Sequence, residues 1–265
     1  MVAADPGAGK LFCEMGDGIM FYFSDNYEYF DCLDAPESTR FQLLLEPLLG
    51  RLKDVQRPLA YQVVRQFCPE GAKVLEIGAG VPLVMEALRV SHGCQCTVAD
   101  KYLGKGRGPV DAAKINQSFP DIEFIDTYVG EFDPRLREDS FDAVISVSVV
   151  EHMAHSELAA FHEDCVRVVK PGGIIFHAVD VSIDGPADQD ELIALLRNFI
   201  EHPRLTALAP DRMQTLEQAR MDPAVFTLSP TMWRRWRQLA PPEFDFSVYR
   251  RIASLNIGMR KMQVP

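Results

Sequence analysis

Nowhere does the sequence run for about 18 consecutive apolar residues, so no membrane-spanning helix is expected. Residues 1–16 lack the basic start and apolar centre of a secretory signal. Cysteine is sparse and scattered: Cys13, Cys32, Cys68, Cys94, Cys96 and Cys165 form no C-x-x-C pair. That usage reads as reduced thiols in the cytoplasm rather than as a disulfide framework. Positive charge is short as well. Lys and Arg total 27 against 38 Asp and Glu, leaving a net charge of -11. A chain this acidic repels a phosphate backbone, so no nucleic-acid partner is expected. Internal repeats and low-complexity tracts are also missing, which excludes a solenoid.

What is present is globular. Hydrophobic residues make up 47% and charged residues 25% of 265, values that rule out wholesale disorder and suit one elaborated domain or a domain with a cap. Residues 1–70 read as a helical N-terminal extension. Phe21, Tyr22, Phe23, Tyr27, Tyr29 and Phe30 crowd together there. Helical stripes follow over 40–52 (Phe41, Leu44, Leu45, Leu48, Leu49) and over 59–67, the second ending near Pro69 and Gly71.

Residues 71–182 alternate short apolar runs with helical patterns. Strands are expected over 73–78, 95–99, 122–126, 141–147 and 174–179, and helices over 82–90, 111–118 and 156–169. Near-continuous apolar strands between helices predict an α/β fold, a parallel sheet covered on both faces. Past the fifth strand the alternation breaks. Residues 183–240 read as a helical insertion, with a strong helix over 188–202, and form a possible substrate cap. Residues 241–265 read as the closing strands, over 246–250 and 254–262.

The chemistry starts at Val74-Leu75-Glu76-Ile77-Gly78-Ala79-Gly80, a buried strand running into a glycine turn that opens a helix. Ligands of open α/β sheets bind at the carboxyl ends of the strands, where glycine lets the backbone come close. A dinucleotide site wants a third glycine and free N–H groups for a pyrophosphate. Here Leu83 stands at the third glycine position and Pro82 removes an N–H. Glu76 disfavours a diphosphate and suits a cation. Asp100, ending the second strand, is placed to accept both hydroxyls of a ribose. Together these describe a site for a positively charged nucleoside without phosphate, and they argue against the alternative of a nicotinamide-dependent oxidoreductase.

The segment resembles the class I S-adenosylmethionine-dependent methyltransferases. The likeness rests on Glu76-Ile77-Gly78-Ala79-Gly80, Asp100, Ser140-Phe141-Asp142, Val150-Glu151-His152 and Val169-Lys170-Pro171-Gly172-Gly173 in order. It implies a Rossmann-like, mostly parallel seven-stranded sheet with a reversed last strand. It also implies S-adenosyl-L-methionine as cofactor and methyl transfer from its sulfonium. Carried over, Glu76, Gly78, Ala79 and Gly80 line the methionine end and Asp100 holds the ribose, with Lys101 beside it. The stretch Tyr128 to Glu131, including Val129, departs from the family's usual pair and is the expected adenine wall. Ser148 follows the fourth strand. The glycine-rich segment 101–109 is either a loop near the ribose or a surface turn.

Methyl transfer needs a base only if the acceptor must lose a proton. His152, past the fourth strand, is the candidate base, and its alternative is a residue that packs on the cofactor. Asp180 is the second catalytic candidate. Glu151 and His177 are expected at the substrate, with Tyr22 and Tyr27 closing over it unless the aromatic cluster staples onto the sheet instead. No metal is expected, because His152 and His155 are three apart with Glu151 outside them, unlike H-E-x-x-H. Trp233 and Trp236 share a helical face, with the intervening arginines outside. The expected partner is a small-molecule substrate, with oxygen or nitrogen the accepting atom. The chain stands as a cytoplasmic enzyme or, alternatively, as a non-catalytic cofactor-binding protein, with self-association into a homodimer open.

Overall fold

The computed structural model describes residues 20–34, 50–102, 111–185, 187–208, 212–239 and 251–263. The elements in chain order are β1 (Met20–Phe23), α1 (Asn26–Asp34), α2 (Lys53–Phe67), β2 (Lys73–Ile77), α3 (Leu83–His92) and β3 (Gln95–Ala99). Next come α4 (Ala112–Ser118), β4 (Glu123–Ile125), β5 (Phe141–Val147), α5 (Leu158–Val168) and β6 (Val169–Ser182). Last are α6 (Ala187–Ile200), β7 (Leu205–Ala207), β8 (Arg212–Met213), α7 (Leu216–Met221), α8 (Pro230–Leu239) and β9 (Ile252–Lys261). No described helix is long and apolar enough to cross a membrane.

One sheet organises the chain. Its strands run β4-β3-β2-β5-β6-β9-β1-β8, with β7 pairing a further stretch of β9. From β4 to β6 every neighbour is parallel, whereas β9 is antiparallel to both β6 and β1. Parallel strands buried on both faces need apolar side chains at odd and even positions alike. β2 meets this by sending Leu75 and Ile77 to one face and Val74 to the other. The first face is covered by α5 and α6 through Phe161, Cys165, Leu192, Leu196 and Phe199. The second is covered by α2 and α3 through Leu59, Val63, Val64, Val84 and Leu88. The chain order reverses beside β2, between β3 and β5, and that is where an open α/β sheet splits to admit a ligand.

Three features differ from the sequence reading. Among the described residues the sheet has nine strands rather than seven. One of the extra strands comes from the N-terminal extension: Phe21 and Phe23 bury on one face and Tyr22 on the other, a two-residue period that makes β1 a core strand. It pairs with residues 255–258 of β9, and β7 takes the adjoining residues 259–261, so two short strands share one edge. In the third, α6, within the helical insertion expected over 183–240, packs in the same apolar cluster as the sheet. The helix expected over 40–52 falls mostly outside the described residues, as does the strand expected over 246–250 and most of the glycine-rich segment 101–109.

Candidate active site

A cleft of about 410 Å³ opens at the carboxyl ends of β2, β3, β4 and β5. Its floor is the turn after β2. Gly78 sits at φ +63°, and a Cβ there would lie 2.7 Å from Val149 Cγ2, so no other residue fits without displacing the turn after β5. Gly80 is also left-handed (φ +58°) and lines the cleft. The helix behind offers little to a phosphate. Pro82 carries no N–H, and the Leu83 N–H turns to the Val81 carbonyl oxygen at 2.8 Å.

At the far end of the turn, Asp100 is held by two backbone donors. Gly80 N–H donates to its Oδ2 at 3.2 Å and Tyr102 N–H to its Oδ1 at 2.7 Å. The carboxylate is thereby fixed across the β2 and β3 turns. Beyond it, Tyr128, Val129, Gly130 and Glu131 form one wall. The Lys101 ammonium lies 4.5 Å from the Tyr128 ring centre and 3.1 Å from a Glu131 oxygen, joining the β3 and β4 turns. Asp164, buried on α5, accepts the Gly130 N–H at 2.7 Å and the Phe132 N–H at 3.2 Å, which fixes the wall's backbone. A planar slot beside a carboxylate that can accept ribose hydroxyls suits an adenosine.

Under the turn lies a charged, dehydrated end. Glu76 is buried and its Oε2 has no hydrogen-bond partner. Burial pushes its carboxyl up to about 7, against the pull of the Arg57 and Lys53 cations. Arg57 is buried too, its Nη1 unbonded, and burial lowers its guanidinium to about 10. An orphaned buried anion beside an orphaned buried cation costs stability unless a ligand satisfies both.

A hydrogen-bonded chain supports the remaining end. Asn256 Nδ2 donates to Ser24 Oγ at 2.8 Å, and Ser254 Oγ donates to Asn256 Oδ1 at 3.1 Å. Gln56 Nε2 reaches Ser254 Oγ at 3.2 Å and Asp180 Oδ1 at 2.7 Å. Ser148 Oγ lies 2.9 Å from Gln56 Oε1 and 3.1 Å from Asp180 Oδ1. Ser148 is a non-glycine residue at φ +52°, a strained conformation that these contacts maintain at the cleft wall.

His152 lines the cleft from a short 3₁₀ turn. Burial and the Lys53 cation hold its imidazole below the ordinary value, while Asp180 pulls the other way. Its Nε2 is 3.8 Å from Glu151 Oε1. Glu151 is buried with both carboxylate oxygens unbonded, and burial, then the Asp180 charge, push it well above the usual carboxylate range.

Of the residues expected from sequence, Gly78, Gly80, Asp100, Lys101, Tyr128, Val129, Ser148 and His152 line the cleft together. Glu76 lies buried beneath it, Ala79 belongs to the same turn, and Glu151 and Asp180 stand behind Ser148 and His152. Three substrate expectations are corrected. His177 is fully buried, with Nδ1 2.8 Å from Ser146 Oγ and its ring between Phe161 and Phe199, because its position on β6 faces α5 and α6. Tyr22 is a sheet residue packed with α2 and α3, its hydroxyl 2.7 Å from Glu28 Oε1. Tyr27 is 76% exposed on α1 and does not reach the cleft. The sequence reading missed Lys53, Gln56, Arg57 and Asp164. Among the described residues no group of His, Cys, Asp and Glu is arranged to hold a metal ion.

Comparison with known proteins places this architecture. Residues 75–177, from β2 through β6, match the family model described as a methyltransferase domain. These residues are thus similar to a methyltransferase domain, in keeping with the class I, S-adenosylmethionine-dependent resemblance of the sequence. Among curated relatives, the ubiquinone biosynthesis O-methyltransferase of Maricaulis maris (strain MCS10) is 32% identical over 111 residues, 41% of each chain. This chain thus spans about two fifths of the length of that relative. The phosphoethanolamine N-methyltransferase 2 of Haemonchus contortus, solved with phosphomonomethylethanolamine and S-adenosylhomocysteine, has a TM-score of 0.52 at 13% identity, over 89% of this chain and 60% of that one. The [4+2]-cyclase SpnF has a TM-score of 0.52 at 14% identity, over 94% and 100%. Likeness at that level concerns the fold alone, and the two named activities differ.

The cofactor of the family is S-adenosylmethionine, and the residues present fit it. Glu76 and Arg57 offer an anion and a cation, each with an unbonded atom, to the ammonium and carboxylate of a methionine end. Asp100 suits the ribose, and the Tyr128 wall suits the adenine.

Proposed function

We propose that the chain is a cytoplasmic enzyme that transfers the methyl group of S-adenosylmethionine to a small-molecule acceptor, at oxygen or nitrogen. The observation that carries the reading is the buried pair Glu76 and Arg57 beneath the glycine turn, two opposite charges each with an atom left for a ligand. The similarity to O-methyltransferases of ubiquinone biosynthesis supports a small acceptor. The buried, unpaired thiols of Cys32, Cys68, Cys94, Cys96 and Cys165 suit a reducing compartment.

When bound, the cofactor supplies a methyl group on a positively charged sulfur. The chain's part is chiefly to align and to exclude water. Glu76 and Arg57 anchor the methionine end, Asp100 anchors the ribose, and the Asp164-braced wall sets the adenine. His152 receives the acceptor's proton, being neutral near pH 7 and open to the cleft. Asp180, tied to Gln56 and Ser148, keeps a negative charge near His152 and stabilises the imidazolium as it forms. Glu151 backs His152 at the acceptor end, its Oε1 3.8 Å from His152 Nε2. The test is transfer of an isotopically labelled methyl group to a panel of small hydroxyl, amine and carboxyl compounds. Labelled product is expected, and cofactor binding with no transfer across the panel would favour a binding protein without chemistry.

A further inference from the structure

A connected row of buried polar side chains runs from the end of β1 to the cleft wall. Ser24, Asn256, Ser254 and Gln56 are each fully buried. Asn256 Nδ2 donates to Ser24, and the Ser254 hydroxyl donates to Asn256 Oδ1. Gln56 Nε2 commits its two hydrogens to Ser254 Oγ at 3.2 Å and Asp180 Oδ1 at 2.7 Å. This order fixes which way the Gln56 amide points, because turned over its oxygen would face the Asp180 carboxylate. That oxygen is left to accept from the Ser148 hydroxyl, 2.9 Å away.

We propose that Gln56 is a positioning residue for the cofactor, acting through Ser148 to hold the turn after β5 in the shape the cleft requires. The proposal rests on the methyltransferase reading for the identity of the ligand. It adds a residue that does not itself line the cleft.

Three observations carry it. Ser148 lines the cleft together with Gly78, Gly80 and His152, so its backbone is part of the binding surface. Its φ of +52° is left-handed, a conformation that serine keeps only where its surroundings impose it. The Ser148 N–H donates to the Ala178 carbonyl oxygen at 2.9 Å, and its hydroxyl meets Gln56 Oε1 and, at 3.1 Å, the Asp180 Oδ1 that Gln56 also holds. The turn is also coupled to the cleft floor. Val149, next in the chain, packs so tightly on Gly78 that a Cβ there would lie 2.7 Å from Val149 Cγ2. A Ser148 relaxed to ordinary backbone angles would carry Val149 with it and reshape both turns. The buried row behind Gln56 keeps the amide from following, since any shift breaks bonds that water cannot replace. Without the Gln56 oxygen a smaller fraction of the chain holds the competent turn, and apparent affinity falls by that fraction.

The test is calorimetric titration of the full chain with S-adenosylhomocysteine, arranged as a double-mutant cycle. Gln56→Leu keeps the bulk, removes the amide, and is expected to bind about tenfold more weakly. Ser148→Ala cuts the same link from the cleft side and is expected to show a similar loss. Ser148→Gly removes the left-handed strain, so it should bind about fivefold more tightly than Ser148→Ala. In the Ser148→Gly background, Gln56→Leu should cost no more than about twofold. General loss of packing would act equally in both backgrounds. A tenfold loss repeated in Ser148→Gly, or equal affinity of wild type and Gln56→Leu, would overturn the proposal. Should Gln56→Leu show no thermal unfolding transition, the Ser148 pair decides: Ser148→Ala binding as tightly as Ser148→Gly overturns it. Failure of wild type to bind S-adenosylhomocysteine overturns the methyltransferase reading and this proposal with it, whereas binding indifferent to Gln56 overturns the proposal alone.

Discussion

Glu76 couples cofactor binding to pH. A ligand ammonium pairs with its ionised form, and burial holds the carboxyl at about 7. Affinity for S-adenosylmethionine should therefore fall about tenfold for each pH unit below about 7 and level off above it. Glu76→Gln should bind more weakly and lose this dependence in titrations across that range. A wild-type affinity that does not change with pH would contradict the assignment. The same raised value has the opposite sign for stability: whatever the protonated carboxyl contributes is fully present below the unfolded value and is lost as pH rises through about 7. His152 is separable from this pair. His152→Ala should lower turnover by roughly two to four orders of magnitude while leaving cofactor affinity within about twofold, as expected for a base. Equal loss of both would make it a packing residue.

At the scale of elements, the turn between β2 and α3 is the most constrained piece. Gly78→Ala would place a methyl group 2.7 Å from Val149 Cγ2 in a left-handed backbone. The expected cost is about 1–3 kcal/mol, read as a lowered Tm, together with weaker cofactor binding. An unchanged Tm would mean that the turn relaxes freely. This turn was legible because a strand, glycines and a helix start occur in one short stretch, and each constrains the backbone. The strands over 95–99 and 141–147 were read with their observed bounds for a similar reason, since apolar β-branched runs end at turn residues. The contribution of α2 was not legible. The helical stripe was read over 59–67, yet α2 starts at Lys53 and is buried nearly all round in its first half. Polar side chains such as Gln56 and Arg57 read as a solvated face when only the apolar stripe is visible. β1 was missed because Phe21, Tyr22 and Phe23 merge with Tyr27, Tyr29 and Phe30 into one aromatic cluster, and only the pairing with β9 separates strand from helix.

At the scale of the whole molecule, the face of the sheet away from α2 carries buried histidines. His162 stacks on Phe199 with ring centres 4.1 Å apart and has neither nitrogen bonded, and His177 lies nearby. Burial pushes both down to about 3. Depressed histidines contribute stability above the unfolded value of about 6.5 that is lost as pH falls toward 3, at about 1.4 kcal/mol per pH unit for each. Chemical denaturation at about pH 7 and about pH 5 should show His162→Phe losing less stability than wild type, and equal losses would contradict the burial argument. The sheet that buries these rings also holds the ends of β2, β3 and β5 in register, so cofactor binding is a property of the whole fold. The most direct measurement is calorimetric titration of the full chain and of Asp100→Ala with S-adenosylhomocysteine, with a nicotinamide dinucleotide in parallel. The account predicts saturable binding of S-adenosylhomocysteine to the wild-type chain, weakened by at least about tenfold in Asp100→Ala, and no dinucleotide binding. Absence of S-adenosylhomocysteine binding, or saturable binding of the dinucleotide, would contradict it.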